Sequence, residues 1–473
     1  MEEESKACLM ESVDEGWAEQ EFKGIELGDK RLNARLTKIA DDFSSSPEVP
    51  INHASKDWCD AKAGYRFFDN EKVSAEKIFL PHQERTVERL LGEETILAVQ
   101  DTTYFNYNGH DSCEGLGYIG TEKLKGIICH QTLMITPAGL PLGLLTQELN
   151  TRLEVKRLTN KERRHLPIEE KESFRWLHAL TQTHELAASA DRRVITVCDR
   201  EGDMYEFINH AHQLGALYVV RSSTDRSVID EQEGQLRSFL LSKVAAGKFE
   251  LSVPSRNGGK PSELELEVRF GRVTIDVPPN LRRDESREPI TLWAVMTTEV
   301  AEANTTEPGK RLEWVLLTNV EVSSFDDAIE RVHWYQKRWQ IEILHKILKS
   351  GCNVEDCRLQ NIKRLRAYLA VFSVIAWRIF YCTHIARTDP NAPASTILSA
   401  IEAEALSMLA GKKQKTRVVI STVKKAVIEI AKLGGFLARR HDGFPGPIPM
   451  WRGFRKLSNA TEMLEVVRTL TCG

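Results

Sequence analysis

Three acidic residues in this sequence have neighbours suited to chemistry: Asp101, Asp199 and Glu342. Asp101 follows Ile96-Leu-Ala-Val99-Gln, and Asp199 follows Val194-Ile-Thr-Val197-Cys198, two apolar runs that read as buried strands. Both aspartates are therefore expected where a strand ends, and ends of neighbouring strands can converge. Converging carboxylates can hold two divalent cations a few Å apart, one activating a nucleophile and one stabilising a leaving oxygen, as phosphoryl transfer requires. Hard oxygen ligands suit Mg²⁺. Taken singly, a strand-end aspartate is more often a cap or turn residue, so the reading depends on the third acid.

Glu342 lies in Tyr335-Gln-Lys-Arg338-Trp-Gln-Ile-Glu342-Ile-Leu-His-Lys-Ile-Leu-Lys349, which the spacing predicts as one helix. At about 100° per residue, Tyr335, Arg338, Glu342 and Lys349 fall within a sector of about 60°. Ile341, Leu344, Ile347 and Leu348 point the other way. One face packs while the other presents an acid among cations, although an Arg338/Glu342 pair alone is also an ordinary surface ion pair. Substitutions on the polar face are expected to damage chemistry and spare stability, and those on the apolar face the reverse.

The elements that must position these residues follow from periodicity. Leu32, Leu36 and Ile39 make one helical stripe after Asp29, an expected N-cap, and Arg31, Arg35 and Lys38 make another. A basic stripe is usually a solvated face, but this repeat could also lie along phosphates. Trp58 to Phe68 and Ser74 to Leu91 read as further helices. Ile127 to Ile135 and Leu140 to Leu149 read as a hairpin turning at Pro137-Ala-Gly139. Glu169 to Ala190 and Met204 to His212 read as helices around the second strand, with Leu217 to Val220 a strand, which together suggest a mixed sheet with helices on its faces.

From Ser222 to Pro308 the texture is alternating strands, Phe249 to Val253, Leu264 to Phe270 and Val273 to Val277, with Arg282 and Arg283 on an exposed loop from Pro278 to Pro289. Trp314 to Thr318 returns to the main sheet. Leu365 to His384 reads as a long buried helix, followed by Ala394 to Leu409 and Thr422 to Leu433 and closing on the Pro-rich turn Phe444 to Pro449. The expected domains are a helical module at 1–70, a catalytic domain at 71–385 with its β-rich insertion at about 222–310, and a helical module at 386–473.

A chain of 473 residues with a formal net charge of -4 has an ordinary globular composition and no global excess of positive charge for a polyanion. Charge is local instead: Gly411 to Lys456 carries twelve Lys/Arg against Glu429 and Asp442, whereas Met1 to Phe22 is rich in glutamate. Nine scattered cysteines and a beginning without a secretory pattern suggest a reducing, cytoplasmic setting. Cys352 and Cys357 lack the spacing and partners of a zinc site. The longest apolar run, Ala367 to Trp377, is short of the roughly 20 residues that span a bilayer, so no membrane partner is expected.

Together, the residues resemble a family along nearly the whole chain: the DDE transposases of the insertion-sequence-four group, on its transposon-five branch. The resemblance rests on Tyr335, Arg338, Glu342 and Lys349 in a Tyr-x2-Arg-x3-Glu-x6-Lys pattern, on Val197 to Glu201 and Asp101-Thr-Thr103, and on Glu172 to Trp176 and Leu433 to Phe436. It implies an α/β, RNase H-like mixed-sheet core with a β-rich insertion, flanked by an N-terminal DNA-end-binding module and a C-terminal dimerisation module. It implies that Asp101, Asp199 and Glu342 ligate two Mg²⁺ ions, with Mn²⁺ a plausible substitute. Tyr335, Arg338 and Lys349 would grip phosphates, Trp314 would stack on a flipped base, and Arg221 would contact the end. Arg31, Arg35 and Lys38 would lie in the end-binding module.

The implied partners are double-stranded transposon ends, target DNA and a second copy of the chain in a synaptic complex, at the nucleoid of a bacterial-type cytoplasm. The implied reaction is cut-and-paste transposition by end nicking, hairpin formation, hairpin resolution and strand transfer. A catalytically silent DNA-binding inhibitor and a structure-selective RNase H-like nuclease are the alternatives.

Overall fold

A computed structural model of the chain describes residues 16–47, 50–55, 57–152, 159, 162, 166–229, 234–253, 262–282, 286–300, 311–412 and 417–471. Most of the acidic leader, Arg283, Lys413 and Lys415 lie outside them. Among the described residues the order begins with helices α1 (Trp17–Glu21), α2 (Lys30–Ser45), α3 (Ile51–Ala54), α4 (Trp58–Asp69) and α5 (Ala75–Leu90). Side-chain caps start three of them: Asp29 accepts from Arg31 N, Asp57 from Asp60 N and Ser74 from Lys77 N.

Then come β1 (Thr95–Asn106), β2 (Gly117–Ile119), β3 (Thr121–Ile135), β4 (Pro141–Asn150), α6 (Phe174–Ala188), β5 (Arg193–Cys198), α7 (Tyr205–Leu214) and β6 (Leu217–Arg221). Next are α8 (Leu236–Ser242), β7 (Gly247–Val253), β8 (Ser262–Ile275), β9 (Ile290–Glu299) and β10 (Glu313–Thr318). Helices α9 (Phe325–Lys337), α10 (Trp339–Lys346), α11 (Ile362–Thr388), α12 (Ala400–Gly411), α13 (Val423–Leu433) and α14 (Pro447–Thr471) complete the order.

The ten strands among the described residues join one mixed sheet, ordered β2-β3-β1-β5-β6-β10-β9-β8-β7 with β4 also paired to β3. β1, β5 and β6 run parallel to one another, and the other pairings are antiparallel. The fold is the expected α/β mixed-sheet architecture with helical ends, consistent with an RNase H-like core. Strand alternation divides the core: Ile195, Val197, Val219 and Leu316 enter one apolar cluster, while Cys198, Tyr218, Val220 and Leu317 enter another on the opposite face. Helix α11 covers the first face; the 18-residue window of it most apolar in character is 94% buried by protein, which makes it a core helix.

Four details differ from the sequence expectation. The strand bearing Asp101 does not end there but runs on to Asn106, because β3 pairs with it throughout, from Leu97↔Ile135 to Asn106↔Gly126. The expected strands 264–270 and 273–277 are one strand, β8, which crosses Gly271 without a break; a Cβ at Gly271 would lie 3.1 Å from the Phe239 ring, so the glycine marks close packing. Strand β9 had no counterpart in the expectation, and the Pro-rich segment closes no fold but leads into the 25-residue helix α14.

The N-terminal helices are not a separate bead. Phe43 of α2 lies 6.5 Å from Phe68 of α4 and 5.2 Å from Phe372 of α11, and Phe68 meets Tyr368 at 6.0 Å. From α1, buried Glu21 bonds His82 Nδ1 at 2.5 Å and pairs with Arg89, so part of the acidic leader has a structural use. His82 Nε2 accepts from Leu144 N at 2.9 Å, which leaves Nδ1 to donate to Glu21.

Candidate active site

The parallel pairing of β1 and β5 sets Val99 opposite Val197, two residues before Asp101 and Asp199. Adjacent strands lie about 4.8 Å apart, so the register carries the two acids out side by side. Asp101 accepts from Thr102 N at 2.9 Å, and its side chain is 15% exposed. Asp199 caps the single 3-10 turn Arg200–Gly202 and accepts from Glu201 N at 2.7 Å.

Glu342 comes from α10, which packs on β1 through its apolar side; Ile341, Leu344, Ile347 and Leu348 are all buried, as the wheel predicts. The predicted single helix is jointed. Arg338 ends α9 and begins α10 with helical φ and ψ, and Ile347–Gly351 forms a π-turn closed by Cys352 N donating to Ile347 O at 2.8 Å. Such an extra residue in a helical turn re-aims the side chains it carries.

Arg338 lies among the acids. Its Nη2 donates to Glu342, and its Nη1 is 3.8 Å from Asp101 Oδ2. Burial pushes the Asp101 carboxyl up to about 7; Asp199 and Glu342 push the same way and Arg338 opposes them. An open cleft of about 370 Å³ is lined by Asp101, Thr102, Thr103, Glu342, His345, Lys346, Lys349 and Ser350. Asp199 is outside that lining. A larger hollow of about 450 Å³ beside Phe174, His178, His210 and Arg287 holds none of the three acids.

Carboxylate oxygens are the donor type that suits a hard divalent cation. Asp101, Asp199 and Glu342 bring such oxygens, and the repulsion that Asp199 and Glu342 exert on buried Asp101 asks for positive charge. Among the described residues no three acid, histidine or cysteine side chains form a ready cage, and Arg338 provides the cation beside Asp101 and Glu342.

Two positions need correction or addition. Tyr335 does not share an open polar face: it is 5% exposed, joins the main apolar cluster and meets the Trp314 ring edge-on at 5.1 Å. His345, which the sequence reading passed over, lines the cleft with Nδ1 3.8 Å from Asp101 Oδ2 and with Nε2 buried and unpartnered. Its spacing three residues after Glu342 was the available signal. Burial, Lys349 and Arg338 push its imidazole down to about 3, so it is neutral.

Arg175 of α6 was legible only as part of a resembling block. It donates to Thr102 Oγ1 at 2.9 Å and to Glu201 Oε2 at 3.3 Å, linking the segments that carry Asp101 and Asp199.

The remaining candidates form separate groups. Trp314 of β10 is half-buried, with the Arg221 guanidinium 6.0 Å from its ring. On α2, Arg31 pairs with its own cap Asp29, Arg35 with Asp60, and Lys38 with Asp42 and Asp60. The basic stripe exists, but acids neutralise much of it. Helix α14 exposes Met463, Val466, Val467 and Leu470, spaced as one helical stripe.

A family model described as transposase DNA-binding matches residues 14–73, and one for the Tn5 transposase dimerisation domain matches residues 374–471. The two matches support a Tn5-like transposase. In this transposase the DNA-binding match spans α1 to α4, and the dimerisation match begins within α11 and takes in α14 with its apolar stripe. The three acids lie between the two matches in sequence, Asp101 on β1, Asp199 just past the end of β5 and Glu342 on α10.

Proposed function

We propose that this transposase is a Mg²⁺-dependent DDE enzyme that excises double-stranded transposon ends and joins them to target DNA as a homodimer. The observation that carries the reading is the β1–β5 register, which sets Asp101 beside Asp199 while Arg338 spans Asp101 and Glu342. Two Mg²⁺ ions held by Asp101, Asp199 and Glu342 would activate the attacking oxygen and neutralise charge on the leaving oxygen. Mn²⁺ is a plausible substitute.

The chain's own groups do the rest. Arg338, drawn off Glu342 by a bound end, offers a planar fork to a phosphate, and Lys349 a point charge from the cleft wall. Water displaces the 3′-oxygen at the transposon boundary and leaves a 3′-hydroxyl. That hydroxyl displaces an oxygen on the opposite strand to close a hairpin, water reopens it, and the same hydroxyl attacks target DNA. Each step is an in-line exchange of one P–O bond for another. Hairpin closure bends the end, and a base stacked on Trp314 would recover about 1–3 kcal/mol of the unstacking cost.

The test is incubation of the purified protein with labelled end duplexes, plasmid and Mg²⁺. Nicked, hairpin and joined products are expected with wild type, and none with Glu342→Ala, which still retards end DNA. Parental cleavage by Glu342→Ala would overturn the assignment. Cleavage without joined product would favour a nuclease, and binding without cleavage a silent inhibitor.

A further inference from the structure

Asp203 sits four residues after Asp199 and belongs to none of the groups above. Its side chain is wholly buried, and every polar contact it makes leads to the segment after β6. Its Oδ2 accepts from Ser223 N at 2.6 Å, Ser223 Oγ at 3.0 Å and Ser222 Oγ at 3.3 Å. Its Oδ1 accepts from Arg226 Nε at 3.2 Å and from Nη2, which also reaches Asp203 O at 2.9 Å. Arg226 is itself only 10% exposed. A carboxylate that uses both oxygens this fully is fixed in place, and removing its charge strands a buried guanidinium.

Each end of this clamp is tied to a functional group. On one side Gly202 N donates to Asp199 O at 3.2 Å and Asp203 N to Arg200 O at 3.3 Å, so the turn from Asp199 to Asp203 closes on itself. On the other, Ser222 N donates to Val315 O at 2.7 Å, pinning the loop to β10 one residue beyond Trp314. Arg221, immediately before that loop, donates to Glu313 O at 3.3 Å and faces the Trp314 ring. Strands β5 and β6 alone would hold only the backbone up to Cys198 and Val220, where their pairing stops.

We propose that Asp203 is a positioning residue: through Arg226, Ser222 and Ser223 it locks the Asp199 turn to the Arg221–Trp314 group, so that the acid and the grip on the distorted DNA end keep a fixed spacing. The inference rests on the reading of Asp199, Arg221 and Trp314 given under Proposed function. It assigns to Asp203 the step with the greatest demand on that spacing, hairpin closure, in which one end of the DNA must be both bent and held at the acids. A buried ion pair that served stability alone would lower every step together.

The experiment uses full-length Asp203→Asn, Arg226→Gln, the double variant and the milder Ser223→Ala with the element's end duplex, carrying 2-aminopurine at the boundary base. Folding is followed by thermal melting. Nicking and hairpin closure are timed separately, and 2-aminopurine fluorescence reports base unstacking in Ca²⁺, without chemistry. Asp203→Asn is expected to slow hairpin closure about tenfold more than it slows nicking and to diminish the fluorescence rise. The double variant should be no worse than the poorer single one, because both remove one clamp. Ser223→Ala, which keeps the backbone contact, should show the same bias about three- to fivefold.

Parallel loss of nicking and hairpin closure in Ser223→Ala and Asp203→Asn, or multiplying effects in the double variant, would overturn the proposal. If Asp199→Ala still nicks at the parental rate, the reading of the acids fails instead. If Asp199→Ala is dead while Asp203→Asn and Ser223→Ala behave as wild type, only the clamp is refuted.

Discussion

Arg338 Nη1 stands 3.8 Å from Asp101 Oδ2 while the same guanidinium bonds Glu342, so one cation serves two carboxylates of the site. A divalent ion held there would therefore compete with Arg338 for the same negative charge. Millimolar Mg²⁺ is expected to raise the thermal midpoint of wild type, and to raise it further in Arg338→Gln, where the competitor is gone. Glu342→Ala should cut the Mg²⁺ response in either background. An equal Mg²⁺ response in all four proteins would place the ion elsewhere.

The jointed helix predicts a split between stability and chemistry that differs from the simple wheel. Leu344→Ala removes a fully buried side chain and is expected to cost about 2–5 kcal/mol in denaturant unfolding. Tyr335→Ala should behave like a core substitution as well, since the ring is buried against Trp314. Lys349→Gln should melt within about 0.5 kcal/mol of wild type and still lose cleavage.

Asp41 of α2 supplies a pH signature away from the acids. Burial pushes its carboxyl up to about 7, with Glu402 and Asp42 adding to the rise and Arg378 opposing it. In the unfolded chain it titrates near 4. Between those values the folded state holds the extra proton, so this group's contribution makes stability fall as pH rises from about 4 to about 7 and level off above. Asp41→Asn should therefore melt higher relative to wild type at pH 8 than at pH 5, by about 1 kcal/mol or more. A difference independent of pH would remove Asp41 as the cause.

Met463, Val466, Val467 and Leu470 form an exposed apolar stripe inside the dimerisation match. Val467→Asp is expected to leave the melting of the free protein nearly unchanged and to weaken the paired-end complex about tenfold or more in gel mobility. A wild-type yield of paired complex would move the dimer contact off this stripe.

What could be read in the sequence was what apolar periodicity encodes. The buried runs before Asp101 and Asp199, the hairpin of β3 and β4 and the packing face of Ile341, Leu344 and Leu348 all follow from period. Pairing partners do not. Asp101 reads as a strand end because Thr102 and Thr103 are polar, yet β3 carries the ladder past them. Helix α14 begins at Pro447 with Pro449 in its first turn, positions a helix tolerates but a linear reading takes as a stop. The Asp203–Arg226 clamp is non-local and charged, and neither period nor spacing marks a contact of that kind.

The aromatic seam of Phe43, Phe68, Tyr368 and Phe372 also limits how this protein can be re-engineered. Residues 14–73 look like a cassette in one dimension, but half of that seam belongs to α11. A graft that brings a new end specificity must bring rings of matching shape, or α11 must be redesigned with it. Recognition and scaffold have been sculpted as one surface, and they can be exchanged only as one.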